Sequence, residues 1–114
     1  MPYLKVQTSA AVEGAANASV LKRASQLLAQ QLAKPEDYVM VSLEPNRRMF
    51  FAGSAEPAAF LELRAIGLPV EKTGDLSRLL CELIHTELGV PKDRIFINFA
   101  AVSPSLWGWN GETF

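Results

Sequence analysis

The chain nearly repeats itself at a spacing of 56 residues, and this repetition limits its fold more than any other feature. Leu32 recurs as Leu88, Pro35 as Pro91, Asp37 as Asp93 and Val39 as Ile95. Around these landmarks each half reads strand, helix, strand. In the first half the run Tyr3–Gln7 precedes Val20, Leu21, Ala24, Leu27, Leu28 and Leu32. Their three- and four-residue spacing is that of a helix with one buried stripe. Pro35 bars its continuation, and Val39–Leu43 follows as a second strand. The second half offers Ala59–Leu63, then Leu76, Leu79, Leu80, Leu83, Ile84 and Leu88 as a helix stopping near Gly89, then Ile95–Phe99. A helical crossover normally joins parallel neighbours. Two such βαβ units, about residues 2–44 and 58–102, are therefore expected to form an α/β fold within a single domain, 1–114. Its four-stranded mixed sheet would carry both helices on one face.

Alternation along these strands sets Lys5, Gln7, Ser42, Glu44, Glu62, Arg64 and Asn98 opposite the most apolar positions. Met40, Phe60 and Phe96 share that second face, which is too polar for a dry layer and too apolar to lie bare. Oligomerisation around a hydrated interior would resolve the conflict; an exposed amphipathic sheet in a monomer is the alternative. The formal net charge of −1 gives no basic excess for nucleic acid. No apolar run approaches the roughly 20 residues of a membrane span, and the start of the chain lacks a basic segment followed by an apolar run. Cys81 is the single cysteine, so neither an internal disulfide nor a cysteine metal site is expected, and a reducing, cytoplasmic setting fits.

Familiar catalytic patterns are mostly missing. No glycine-rich phosphate loop or G-x-S-x-G elbow occurs. His85 and Cys81 lie four apart on the second helix and read as a surface imidazole and a packed thiol rather than a dyad. Pro2 is more interesting. Removal of Met1, which small second residues generally permit, would leave a free prolyl amine. Ordinary α-amines titrate near about 8, so burial or a nearby cation would yield a neutral base at physiological pH. Position alone favours a quiet strand start. Lys34 is a candidate partner cation, although a lysine at a helix C-terminus also suits the helix dipole. Trp107, Trp109 and Phe114, punctuated by Gly108 and Gly111, suggest a bent aromatic flap. A ligand wall and a hydrophobic plug or subunit contact explain it equally well.

Taken together, the opening Met-Pro, KPEDYV (34–39), FFAGSAEP (50–57), RAIG (64–67), SRLLCELI (77–84), PKDRIFINF (91–99) and GWNGETF (108–114) resemble the landmarks of the macrophage migration inhibitory factor family, within the tautomerase superfamily, in order and almost end to end. The resemblance implies a homotrimer whose three sheets surround a central channel. It also implies cofactor-independent keto–enol tautomerisation of arylpyruvates such as phenylpyruvate, with dopachrome isomerisation as a companion activity. Pro2 matches the catalytic proline, Lys34 the lysine that meets the substrate carboxylate, and Ile66 a pocket contact. Asn98 matches a contribution from the neighbouring subunit, Trp109 and Phe114 the aromatic rim, and Tyr38 a tyrosine at the pocket mouth. Two departures fall in the implied pocket, where Phe96 replaces a tyrosine and Trp107 a small aliphatic residue. Where relatives with thiol–disulfide activity carry Cys-x-x-Cys, this chain reads Ala58-Ala59-Phe60-Leu61. Animal members are secreted by a non-classical route and bind a cell-surface receptor, so a cytokine-like ligand is the alternative function. Hydration or dehalogenation, known elsewhere in the superfamily, would require Arg64 or Arg94 to face Pro2.

Overall fold

In the computed structural model, which describes residues 1–114, strand β1 (Pro2–Thr8) leads through helix α1 (Ala15–Gln31) to strand β2 (Met40–Glu44). Strand β3 (Ala59–Ile66), helix α2 (Thr73–Leu88) and strand β4 (Ile95–Val102) repeat that order. The four strands form one mixed sheet ordered β2-β1-β3-β4. Each βαβ unit supplies a parallel pair, and β1 meets β3 antiparallel at the centre. This is the architecture the repeat predicts.

The strand register shows how one face becomes core. Leu4 lies opposite Leu63 and Val6 opposite Leu61, all fully buried. Helix α1 packs Val20, Ala24 and Leu28 into the same cluster, and α2 packs Leu76, Leu80 and Ile84. The helix stripes correspond at a spacing of 56, but Leu4 and Val6 correspond to Leu61 and Leu63 at 57. Side chains alternate with period two, so an offset of 56 in the first strands would turn one of them inside out. One residue fewer between strand and helix in the second unit absorbs the difference.

The second face has the expected mixed composition. Tyr3, Lys5 and Gln7 stand in register with Met40, Ser42 and Glu44 on one side and with Arg64, Glu62 and Phe60 on the other. Gln7 Nε2 donates to Glu44 Oε2 at 2.9 Å, and Tyr3 Oη and Ser42 Oγ are hydrogen-bonded at 2.9 Å. The large apolar groups there stay mostly uncovered: Met40 is 66% and Phe96 57% exposed.

Several boundaries differ from expectation. Strands β3 and β4 each run three residues beyond the apolar runs, because Arg64 and Ala100 keep the alternation on the open face. Val39 caps a 3₁₀ turn (Glu36–Tyr38), and β2 begins one residue later. Helix α1 ends at Gln31, well before Pro35, leaving Leu32 as its cap. Its end is closed by a Schellman arrangement: Lys34 N–H donates to the Ala29 carbonyl and Ala33 N–H to that of Gln30. Ala33 adopts φ +52°, a left-handed conformation costing an L-residue about 1–2 kcal/mol. Glycine avoids this but loses more entropy on folding, about 0.4–1 kcal/mol. Ala33→Gly is thus expected to stabilise the protein by about 0.5–1 kcal/mol, read as a higher urea midpoint with unchanged slope.

Candidate active site

A cleft of about 520 Å³ opens where β1 begins, lined by Met1, Pro2 and Tyr3, by Asp37–Met40, by Arg64 of β3, and by Val102, Leu106–Trp109 and Phe114. Ten of the fourteen lining residues are hydrophobic, so charge placed inside is poorly solvated and the few polar groups matter.

Pro2 is the first residue of β1, paired with Ala65 of β3, and its side chain is fully buried. Its ring forgoes a ladder N–H at a strand start, where the loss is small. The Met1 carbonyl accepts a hydrogen bond from Ile66 N–H at 3.4 Å, so the terminus is tied to β3 from its first peptide bond. The terminal amine, carried here by Met1, is held below its ordinary value of 8.0, first by burial and second by the charge of Lys34. Lys34 does not itself line the cleft. It sits half-buried at the Schellman turn, has no ion-pair partner in the chain, and acts on the amine through space.

The aromatic flap is a β-hairpin. Strands β5 (Gly108–Trp109) and β6 (Glu112–Thr113) pair antiparallel across Asn110 and Gly111, at φ +51° and +81°. Positive φ at both central residues is the type I′ geometry that Asn-Gly favours. The turn brings Trp109 and Phe114 into a stack with ring centroids 5.9 Å apart. Tyr38 meets both edge-on, at 5.5 Å and 6.3 Å. Tyr38, Trp107, Trp109 and Phe114 thus share one cleft with Pro2.

The remaining candidates lie elsewhere. Ile66 is half-buried at the end of β3 and does not line the cleft. Phe96 and Asn98 point from β4 onto the open face, in register with Phe60 and Glu62. Phe96 packs edge-on against Phe51 at 4.6 Å, beneath the Arg94 guanidinium, which lies 5.2 Å from the Phe51 ring centroid. Arg94 does not reach Pro2; it donates to the carbonyls of Phe51, Ser54, Glu56 and Pro57. His85 Nδ1 lies 2.9 Å from the Val90 carbonyl, and the half-buried Cys81 thiol is pushed up chiefly by burial.

Tyr3, Asp37, Met40, Val102 and Leu106 line the cleft, although the sequence does not mark them as site residues. Tyr3, Met40 and Val102 share the open face that alternation marks, so extending that pattern to the strand ends would have found them. Asp37 marks the repeat without pointing to a cleft, and nothing local distinguishes Leu106.

The family model for macrophage migration inhibitory factor (MIF) matches residues 1–114. A macrophage migration inhibitory factor homolog from Brugia malayi is 34% identical over 115 aligned positions, covering 100% of this chain and 99% of that protein. The macrophage migration inhibitory factor of Meriones unguiculatus is 38% identical over 96 positions, covering 83% of this chain and 84% of that protein. Among solved structures, the homologue from Prochlorococcus marinus superposes with a TM-score of 0.93 at 42% identity, over 98% of both chains. The Toxoplasma gondii protein also gives 0.93, at 33% identity, over 98% of this chain and 99% of that one.

Proposed function

Since this chain belongs to the macrophage migration inhibitory factor family, we propose that it is a cofactor-independent keto–enol tautomerase of arylpyruvates, with Pro2 as the proton carrier once Met1 has been removed. The observation that carries this reading is the position of Pro2: fully buried beside an apolar cleft, where burial and Lys34 already hold the chain's amine below its ordinary value. Both influences favour a neutral secondary amine at physiological pH. That nitrogen takes the proton from the enol oxygen of phenylpyruvate, and the resulting prolinium returns it to the benzylic carbon beside the new carbonyl, leaving the keto acid. Lys34 meets the substrate carboxylate and stabilises the negative charge that develops on the enolate between the two transfers. Tyr38, Trp109 and Phe114 enclose the aryl ring and exclude water, with Trp107 narrowing the entrance. The test is the decay of enol-phenylpyruvate absorbance with Met1-free wild-type and Pro2→Gly proteins. Turnover that does not depend on Pro2 overturns the reading.

The active unit is a homotrimer in this reading. Its support is the uncovered face carrying Met40 and Phe96, together with two sheet edges, β2 and β4, that the chain leaves unpaired. The chain exposes 6680 Å², somewhat more than the roughly 6,200 Å² expected of a compact monomer of this mass. Phe96 and Asn98, remote from their own chain's cleft, then line a neighbour's. Light scattering is expected to give about three times the 12.5 kDa chain mass; a monomer at micromolar concentration contradicts it.

A further inference from the structure

We propose that Arg64 adapts this cleft to keto acids carrying a second anionic group, a carboxylate on the side of the reacting carbon away from Lys34; the inference rests on the tautomerase reading above. Arg64 lines the cleft and is exposed within it, yet it forms no ion pair in the chain. Its position follows from the sheet. Strands β2 and β3 flank β1 on opposite sides, and neighbouring strands lie about 4.8 Å apart. Arg64 stands on β3 directly across from Tyr3, next to the Pro2–Ala65 pair. Lys34 belongs to the turn that feeds β2. The two unpaired cations therefore belong to segments on opposite sides of β1, Arg64 to β3 and Lys34 to the turn that leads to β2.

The acids nearby do not neutralise this arrangement. Asp37, the one acid lining the cleft, lies in the 3₁₀ turn before β2, on the Lys34 side. Glu62 shares the open face with Arg64 but lies two residues along β3, in register with Lys5 and Asn98 and outside the cleft lining. A guanidinium left free in a largely apolar wall presents a planar fork of donors, a shape that matches a carboxylate. Phenylpyruvate has a single carboxylate, which Lys34 takes, and leaves the fork empty. An arylpyruvate with a para carboxylate fills both positions while keeping the same reacting atoms.

The experiment compares kcat/KM for para-carboxyphenylpyruvate with that for phenylpyruvate in Met1-free wild-type, Arg64→Gln and Arg64→Lys proteins. The ratio of the two efficiencies is expected to fall about fivefold in Arg64→Gln, the scale of one partly solvated ion pair. The change should be carried by KM for the carboxylated substrate. Arg64→Lys should recover part of the ratio, since it keeps the charge and loses the fork. A ratio unchanged in Arg64→Gln, with Pro2-dependent phenylpyruvate turnover intact, overturns the role of Arg64 alone. Absence of Pro2-dependent turnover of both substrates by wild-type protein overturns the tautomerase reading with it.

Discussion

Protein that keeps Met1 is expected to tautomerise phenylpyruvate at least a hundredfold more slowly than the same chain beginning at Pro2. With Met1 attached, the Pro2 nitrogen belongs to a tertiary amide whose lone pair is delocalised into the carbonyl. It has no useful basicity and no proton to return. The Met1 amine does not replace it, because it is displaced by one residue, about 3.8 Å between Cα atoms, and has left the position held between β2 and β3. Positioned acid–base groups contribute about 10²–10⁴ in rate, and that is the loss foreseen. Pro2→Gly in Met1-free protein should cost less, about tenfold to a hundredfold. A primary amine remains, but it lacks the ring that fixes its direction in the fully buried strand start. Intact mass must be measured on the assayed sample itself. Full activity in material shown to retain Met1 would remove Pro2 from the mechanism.

The parts of this molecule that follow a local period could be read without coordinates, and those that depend on distant pairing could not. Both helix stripes and the division of every strand into a core face and an open face are consequences of the 3.6- and 2-residue periods. They appear as expected at Val20, Ala24 and Leu28 and at Leu4 and Val6. The Asn110–Gly111 turn was equally open to reading, since that dipeptide favours φ > 0 at both positions. The aromatic residues with Gly108 and Gly111 mark a bent flap, but by themselves they do not specify its turn type. Ala33 gave no warning, because alanine rarely adopts the conformation it holds there. Arg64 and Arg94 are equal candidates to face Pro2 until β1 and β3 pair and bring Arg64 opposite Tyr3. Lys34 shows the limit most clearly: the residue type suits a helix C-terminus and an anion site equally, and only the fold brings it near the terminal amine. Phe96 and Asn98 depend on a pairing more distant still, since the cleft they are proposed to serve belongs to another copy of the chain.

Lys34→Gln is expected to produce the second largest loss, with two separable signatures. The first concerns binding. A hydrogen bond to a charged group contributes about 1.5–3 kcal/mol, which at about 1.4 kcal/mol per factor of ten is roughly ten- to a hundredfold in kcat/KM. A half-buried lysine beside a partly open cleft belongs toward the lower end of that range. Because Lys34 meets the carboxylate in both ground and transition states, most of the loss should appear in KM, with a smaller fall in kcat from poorer enolate stabilisation. The second signature concerns pH. The active form of Pro2 is the neutral amine, so activity rises with pH through the amine pKa. Lys34 lowers the pKa of the terminal amine carried by Met1, and its positive charge is expected to disfavour a cation on the Pro2 nitrogen in the same way. Removing the charge therefore raises the pKa and moves the acid limb of the pH–rate profile to higher pH. Burial, the larger of the two causes at the Met1 amine and present also at the fully buried Pro2, is unchanged in Lys34→Gln, so the limb should still lie below that of an ordinary α-amine. Lys34→Arg separates the effects: it retains a positive charge and should hold the acid limb near its wild-type position, while the altered reach changes KM. Profiles of kcat/KM against pH for the three proteins decide the matter. An acid limb that stays fixed, or moves to lower pH, in Lys34→Gln would mean that Lys34 does not act on the proline nitrogen.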